Sequence, residues 1–373
     1  MATSQLTIRK YFRRLKDPRR NHRKRHLLID IISIAVCAVI GGATTWTDIA
    51  TFGRRRQDWF ARFLELPNGI PSHDTFERVL DRLDPVAFQQ CLAGWLHAVS
   101  APLGLSHIAI DGKTLRHSGG GASPLRQLQL VSAWATEARL TLGQVAVDAD
   151  SNEITAIPKL LEVLDLHGAL VSIDALGCQK EIAQQIVAAG GDYVLTVKGN
   201  QEHLQDDIVA CFIDAYENDF AGVDYATWES TERGHGRHEH RVYQIITNPS
   251  GIRARQGWPK LQVIGSCYSE RTVQGKTSCE QRWFIGSRRC SARRYGQALR
   301  GHWGIENNLH WQMDVTFGED DCRIQRRHGA QNFAALRRLA LTLLQRHPAK
   351  ASIRSKRYQA TLDVAFLEEV LTQ

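Results

Sequence analysis

Two short apolar runs that each end in an aspartate constrain the fold of this 373-residue chain more than any other feature. The first run, Ile108–Ile110, stops at Asp111 and continues into Gly112 and Lys113. An apolar run of this length with β-branched residues is typical of a buried strand. A carboxylate at the mouth of such a strand must be paired, hydrogen-bonded or bound to a metal, because burying it alone is costly.

The same pattern recurs at residues 169–175, where a second apolar run ends on Asp174 and leads into Gly177 and a helical pattern. Two acids at the ends of two core strands indicate one shared site. The sequence leaves an alternative open, because each aspartate could serve only to cap the turn or helix that follows it.

A third stretch, residues 299–317, carries the third candidate acid. On an α-helix one stripe of this stretch would contain Leu299, Trp303, Glu306, His310 and Met313. This arrangement predicts that Glu306 lies on a buried face, either neutral with a raised pKa or bound to a metal beside other acids. Gly301 and Gly304 are poor helix formers, so they predict close approach of another segment.

The chain resembles the DDE transposases of bacterial insertion sequences, in particular the group of H-repeat-associated proteins. The matching motifs extend over essentially the whole chain and are AIDGKTLRHS, VSIDALGCQKEIA, DYVLTVKGNQ, HGRHEHR and HWGIENNLHWQMDVTFGED. The resemblance implies an α/β fold with an RNase H-like mixed β-sheet core. It also implies a β-rich insertion before the last catalytic helix and a small all-α domain at the N-terminus.

The resemblance further implies that Asp111, Asp174 and Glu306 are the DDE triad and the ligands of two Mg²⁺ ions, for which Mn²⁺ could substitute. Two such ions roughly 3.5–4 Å apart neutralise charge on the entering and leaving oxygens of a phosphodiester. We expect Asp111 to bridge both ions. The implied reaction is cleavage of double-stranded DNA at terminal inverted repeats, followed by attack of the new 3′-OH on target DNA, by a homodimer on paired ends.

Around the third acid the chain departs from the Tyr, Arg, Glu, Lys signature of many relatives. Leu299 and His302 stand at the Tyr and Arg positions, and Met313 stands at the Lys position. The departure fits the pattern of the H-repeat group and leaves open whether cleavage proceeds through a DNA hairpin. Other residues must then contact phosphate, and the candidates are Lys113, Lys198, Arg300, His302, His235 and Arg237.

The net charge of +8 is unevenly distributed. Residues 9–26 carry +9 and residues 322–357 carry +10, whereas residues 27–321 carry −8. Two basic arms therefore flank an acidic middle that holds the candidate acids, a pattern that favours polyanion binding over a merely solvated basic tail. The eight cysteines form no CxxC pair, which favours a reducing cytoplasm and, with DNA as partner, association with the nucleoid.

The chain divides by pattern into three parts. Residues 1–100 combine a basic arm with a helical domain, residues 101–350 form the catalytic domain with its β-rich insertion at about 220–290, and residues 351–373 form a helical tail. A helix over 46–65 and a second helix with a capping box from Asp74 and Glu77 are compatible with helix-turn-helix DNA binding or with plain packing.

The most apolar stretch, Leu27–Thr45, follows a basic run as a membrane segment would. Asp30 and Ser33 interrupt it and it is short for a spanning helix, so we expect a buried helix over 27–41 and no membrane insertion.

The core elements follow from their periodicity. We expect antiparallel strands over 126–136 and 139–148, a strand over 193–198, and helices over 153–166, 178–189, 201–217 and 328–346, the last beside the Glu306 helix. His235, His238 and His240 could form a zinc site, but no fourth ligand stands at zinc spacing, so a structural or DNA-facing role is favoured.

Three functions fit the sequence. We favour a Mg²⁺-dependent transposase, since all three acids are present. A nuclease of the same fold that joins nothing is the second hypothesis, and a catalytically inactive or domesticated DNA-binding protein is the third.

Overall fold

The computed structural model describes residues 10–21, 24–100, 106–119, 127–148, 150–234 and 236–372. Its strands are β1 (His107–Thr114), β2 (Gln129–Ala135), β3 (Leu140–Ala146), β4 (Leu170–Ile173), β5 (Asp192–Val197), β6 (Asp224–Gly234), β7 (Arg237–Thr247), β8 (Val263–Val273) and β9 (Lys276–Gly286). All nine form one mixed sheet in the order β3-β2-β1-β4-β5-β9-β8-β7-β6. The first five strands have the order expected of an RNase H-like core.

Helices cover both faces of this sheet. In chain order they are α1 (Leu28–Ile40), α2 (Trp46–Arg55), α3 (Gln57–Phe60), α4 (His73–Leu80), α5 (Pro85–Ser100), α6 (Glu153–Leu161), α7 (Lys180–Ala188), α8 (Glu202–Glu217), α9 (Ala292–His302), α10 (Gly329–Arg346), α11 (Ile353–Leu362) and α12 (Val364–Thr372). Two π-helical turns, Glu306–His310 and Gln312–Thr316, lie between α9 and α10.

Strands β1 and β4 bring the two predicted aspartates to one edge of the sheet. The strands are parallel neighbours, with Ile110 opposite Ile173. Asp111 and Asp174 directly follow these paired residues, so both acids lie at the carboxyl ends of adjacent strands. Ligands of open α/β sheets bind at this edge.

The predicted β-rich insertion is confirmed, and it lengthens the core sheet instead of forming a separate one. Strands β6 to β9 are each 11 residues long. Strand β9 returns antiparallel to β5, with Val197 opposite Trp283, which joins the insertion to the core beside the Asp174 strand.

The two sheet faces have separate hydrophobic cores. On one face, helices α6, α7 and α8 pack over Ile108, Ile110 and Val171. On the other, helices α1 to α5 and α10 to α12 share a core with Ala109 and Trp134 of the sheet. The N-terminal helices and the C-terminal tail therefore pack around one core with the RNase H-like sheet.

Helix α1 confirms the predicted buried helix, because every residue from Asp30 to Ile40 is buried. Within the described part of the chain, no helix is both long and apolar enough to cross a membrane.

Two predictions about the N-terminal helices are wrong in detail. The helix expected over 46–65 breaks at Arg56, between α2 and α3. The capping box expected from Asp74 and Glu77 is absent, because α4 begins after Ser72 without a side-chain cap. A capping box does form at α2, between Thr45 and Asp48.

The second basic arm is partly internal: four of its ten cations are buried, whereas Arg323, Arg326, Arg327, Lys350 and Arg354 are exposed. Arg337 and Arg338 on α10 are buried, and Arg338 Nη1 lies 2.7 Å from Oε1 of the fully buried Glu319. Lys356 and Arg357 are also buried and donate hydrogen bonds to backbone carbonyls. These cations serve the packing of α10 and α11, because a buried charge needs such partners.

Candidate active site

Asp111 is the centre of the candidate site. Its side chain is only 18% exposed, and burial raises the pKa of its carboxyl to about 7. The negative charges of Asp174, Glu153 and Glu306 raise this pKa further, whereas a hydrogen bond from the Gly112 N–H lowers it. Three other carboxylates therefore lie within electrostatic reach of Asp111 at the carboxyl end of β1.

Asp174 also caps the turn that follows it. Its Oδ1 accepts hydrogen bonds from the backbone N–H groups of Leu176 and Gly177, at 3.1 and 3.2 Å. The capping alternative is thus correct for this oxygen, and it fixes the direction of the carboxylate. Asn200 holds the same turn from the end of β5, donating to the Ala175 carbonyl at 2.7 Å.

Glu306 does not lie on a buried face, so that prediction is wrong. Helix α9 ends at His302, and Glu306 begins the first π-helical turn with an exposed side chain. Ile305, Leu309 and Met313 are fully buried instead. These three residues form the inward face of the segment, and the stripe through Glu306 does not coincide with it. The exposed carboxylate of Glu306 nevertheless acts on Asp111.

His310, on the same π-helical turn as Glu306, contacts Asp111. Its Nδ1 lies 3.6 Å from Asp111 Oδ2. Burial lowers the pKa of His310 to about 3, and the nearby Arg338 and Lys113 lower it as well. The imidazole is therefore neutral at pH 7 and does not compensate the charge of Asp111.

His302, a predicted phosphate contact, belongs to a buried hydrogen-bonded chain. Its Nδ1 lies 3.0 Å from Ser172 Oγ, which is 2.8 Å from His107 Nε2, and His107 Nδ1 is 2.9 Å from Thr136 Oγ1. Burial lowers the pKa of His302 to about 4. An uncharged imidazole in this position fixes α9 to β1 and β4 and offers no cation to a phosphate.

The predicted close approach at Gly301 is confirmed. A Cβ at this position would lie 3.0 Å from His107 Nδ1, so glycine lets α9 sit directly against β1. The same prediction fails at Gly304, where a Cβ would meet only Asn308 at an ordinary 3.5 Å.

Lys113, another predicted phosphate contact, is buried in an ion-pair cluster. Its side chain is 7% exposed and its Nζ pairs with Asp314, with Asp320 at 3.5 Å and with Glu319 at 3.8 Å. The Lys113 ammonium therefore pairs with three carboxylates and is not free to bind a phosphate in this arrangement. The pairs tie β1 to the segment after the π-helical turns.

The remaining predicted phosphate contacts lie nearer the surface. Lys198 is exposed at the end of β5. Arg300 Nη2 pairs with Glu232 Oε2 at 2.6 Å, and Arg237 Nε lies 3.1 Å from Glu239 Oε1 with its side chain 42% exposed. His235 lies outside the described residues.

The histidines of β7 form no metal site with their described neighbours. His240 Nε2 lies 3.0 Å from Glu229 Oε2, on the adjacent strand β6. Across the residues that the structure describes, no three His, Cys, Asp or Glu side chains are close enough together to hold a metal ion.

The carboxylates around Asp111 nevertheless fit a divalent cation by their chemistry. Their donor atoms are all carboxylate oxygens, the ligands that Mg²⁺ prefers. Burial and mutual repulsion hold the Asp111 pKa near 7, and a bound cation would relieve that repulsion. The donor set is therefore suitable, and the acids would have to draw closer to complete it.

Sequence reasoning missed Glu153 altogether. The residue begins α6, and a Cβ on Gly112 would collide with its carboxyl group. An acid in the first turn of a helix is so common that its position along the chain carries no functional signal. Only the folded chain places it beside Asp111.

An exposed aromatic side chain also borders the site. Trp303, three residues before Glu306, is 40% exposed, and the Arg282 guanidinium stacks over its ring at 4.2 Å. Arg282 comes from β9 of the insertion, so the insertion contributes directly to the rim beside Glu306.

Comparison with known proteins agrees with this architecture. The family model described as the transposase DDE domain matches residues 102–343, and the model of its associated domain matches residues 9–96. The "H repeat-associated putative transposase YhhI" of Escherichia coli K12 is 36% identical over 368 residues, covering 96% of this chain and 95% of the relative. An "Inactive transposase YbfQ" of the same strain is 44% identical over 57 residues, covering 15% of this chain and 68% of the relative.

A solved structure of a piggyBac transposase synaptic complex with hairpin DNA aligns with a TM-score of 0.41 and 11% identity, over 100% of this chain and 82% of that chain. The extent of the family matches shows the class: a transposase with a DDE domain. The chain belongs to the DDE transposase family, in its H-repeat-associated group.

Proposed function

We propose that this protein is an active DNA transposase that cuts double-stranded DNA at the ends of an insertion sequence and joins the resulting 3′-OH to target DNA. The observation that carries the proposal is the arrangement around Asp111. Asp174 follows the adjacent parallel strand and Glu306 begins the π-helical turn that follows α9, and both charges act on Asp111. This influence of residues far apart in sequence supports a carboxylate site at the strand edge, where this chemistry needs one.

In this proposal Asp111, Asp174 and Glu306 hold two divalent cations, Mg²⁺ with Mn²⁺ as a substitute. The bound ions would neutralise charge on the entering and leaving oxygens. Asp111 is the central ligand, because the pKa of its carboxyl responds to the charges of both other acids. The Leu176 and Gly177 N–H groups of the following turn donate to Asp174 Oδ1 and orient that carboxylate before any ligand arrives.

The rim of the site supplies the contacts that position DNA. Lys198 is exposed beside the Asp174 turn and is the simplest phosphate contact among the predicted residues. Arg300 and Arg237 are partly exposed but paired with Glu232 and Glu239, so their contact with DNA requires exchange of these partners. We also propose a homodimer that acts on paired DNA ends in the cytoplasm, at the nucleoid.

A strand-transfer assay separates this proposal from its alternatives. The full chain is incubated with Mg²⁺, a labelled fragment carrying the gene with both flanks, and a supercoiled target plasmid. Joined products at the ends of the element support a transposase. Cleavage without joining would show a nuclease of the same fold, and binding without either reaction would show a DNA-binding protein that has lost catalysis.

A further inference from the structure

Glu153 reaches the site from the sheet face opposite to Glu306. Helix α6 packs on the core that contains Ile110, whereas the buried neighbours of Glu306, Ile305 and Leu309, belong to the other core. The carboxyl ends of β1 and β4 are therefore flanked by one glutamate on each side.

The contact between Glu153 and β1 depends on the residue directly after Asp111. A Cβ on Gly112 would overlap all three terminal atoms of the Glu153 side chain. Gly112 is not among the residues with positive φ, so its backbone does not require glycine. The lack of a side chain at Gly112 instead leaves room for the Glu153 carboxylate against β1.

The Glu153 carboxylate is also oriented. Gln129 Nε2, at the start of β2, donates to Glu153 Oε1 at 2.5 Å. Asn152 caps the helix separately through its own Oδ1, which accepts from the Ile154 N–H at 3.0 Å. The cap of α6 is therefore provided without Glu153, and a helix-capping role does not account for where its carboxylate points.

The electrostatics agree with this placement. Burial raises the pKa of Glu153, and the charge of Asp174 raises it further, while the hydrogen bond from Gln129 lowers it. Glu153 in turn acts on Asp111. Placing a third and a fourth carboxylate against two others costs stability unless a cation compensates them.

We propose that Glu153 is a fourth carboxylate of the metal site, binding a divalent cation beside Asp111 and Asp174 with one oxygen held by Gln129. This inference rests on the proposed function, because it assigns a further ligand to the same cations. It also assigns a role to Gly112, which keeps the space above β1 clear for that carboxylate.

A titration of the full chain with Mn²⁺, in the absence of DNA, tests the assignment without relying on activity. Free Mn²⁺ is measured by its electron paramagnetic resonance signal. The variants are Glu153→Gln and Gly112→Ala, alone and combined, with Asp111→Asn as the reference for loss of the site. Glu181→Gln is the matched control, because Glu181 is an exposed acid in the first turn of α7.

We expect Glu153→Gln to weaken Mn²⁺ binding at least tenfold without lowering the melting temperature of the metal-free protein. Gly112→Ala should weaken it similarly by displacing the carboxylate, and the double variant should be no weaker than either single one. Glu181→Gln should bind as wild type.

Two results would overturn the inference in distinguishable ways. Wild-type affinity in Glu153→Gln, together with loss of binding in Asp111→Asn, would make Glu153 a structural acid and leave the proposed function intact. Absence of Mn²⁺ binding in the wild-type protein would remove the metal site itself, and with it both proposals.

Discussion

His310 Nδ1 lies 3.6 Å from Asp111 Oδ2, which places the π-helical turn of Glu306 against the end of β1. His310 and Glu306 are the last and first residues of that turn. The separation exceeds hydrogen-bond length, and the imidazole is neutral because burial lowers its pKa to about 3. The contact therefore aligns the third acid with the first without neutralising either.

The two glycines before Glu306 should respond differently to substitution by alanine. In Gly301→Ala the new Cβ would press on His107, whose ring is buried and fixed by two hydrogen bonds. Overpacking costs about 1–3 kcal/mol, more than the gain of up to about 1 kcal/mol from helix propensity. Gly304→Ala meets no such obstacle. Urea unfolding should show a lower free energy of unfolding for Gly301→Ala and no loss for Gly304→Ala. Equal effects of the two substitutions would refute the close approach at Gly301.

The two lysines of the predicted phosphate set should separate into a structural and a DNA-binding residue. Lys113→Met leaves Asp314, Glu319 and Asp320 without their shared cation and should lower the free energy of unfolding by about 3–5 kcal/mol. Lys198→Met should leave stability unchanged, weaken DNA binding and reduce the salt slope of log Kd by about 1. Calorimetry and binding at several salt concentrations measure both. A stable Lys113→Met protein with reduced salt slope would reverse the assignment.

The raised pKa of Asp111 predicts how stability depends on pH in metal-free protein. The folded-state value of about 7 exceeds the unfolded value of 3.8, so the folded chain binds the proton more tightly. The stability that the protonated Asp111 carboxyl contributes is fully present below about pH 4 and is lost as pH rises through 7.

Asp111→Asn removes that loss, so the variant should gain stability relative to wild type between pH 4 and pH 8 in the presence of EDTA. Asp150→Asn, at an exposed position, is the control, and its curve of stability against pH should run parallel to that of wild type. Parallel curves for Asp111→Asn would show that the carboxyl titrates normally.

Much of the fold was predictable because its signals are local. The strands ending at Asp111 and Asp174 are short apolar runs bounded by acids, and the β-rich insertion differs in composition from its surroundings. The parallel pairing of β1 with β4 then brings the two aspartates together, as the order of elements implied.

The residues that depend on packing were not predictable. The stripe through Glu306 predicts a buried face for it, whereas Ile305, Leu309 and Met313 form the inward face of this segment. The ion pairs of Lys113 are not visible in the sequence, because Asp314, Glu319 and Asp320 lie about 200 residues further along the chain. Glu153 carried no signal, since an acid at the start of a helix is ordinary.

In the proposed function, Asp111, Asp174 and Glu306 carry the chemistry. The most direct test measures Mg²⁺-dependent formation of 3′-OH ends on the labelled element fragment by Asp111→Asn, Asp174→Asn and Glu306→Gln, with Glu181→Gln as control. Each triad variant should lose cleavage by at least 10³-fold, about 4 kcal/mol in the barrier, and should bind DNA as wild type does. Wild-type cleavage by any one of the three would contradict the assignment of that residue.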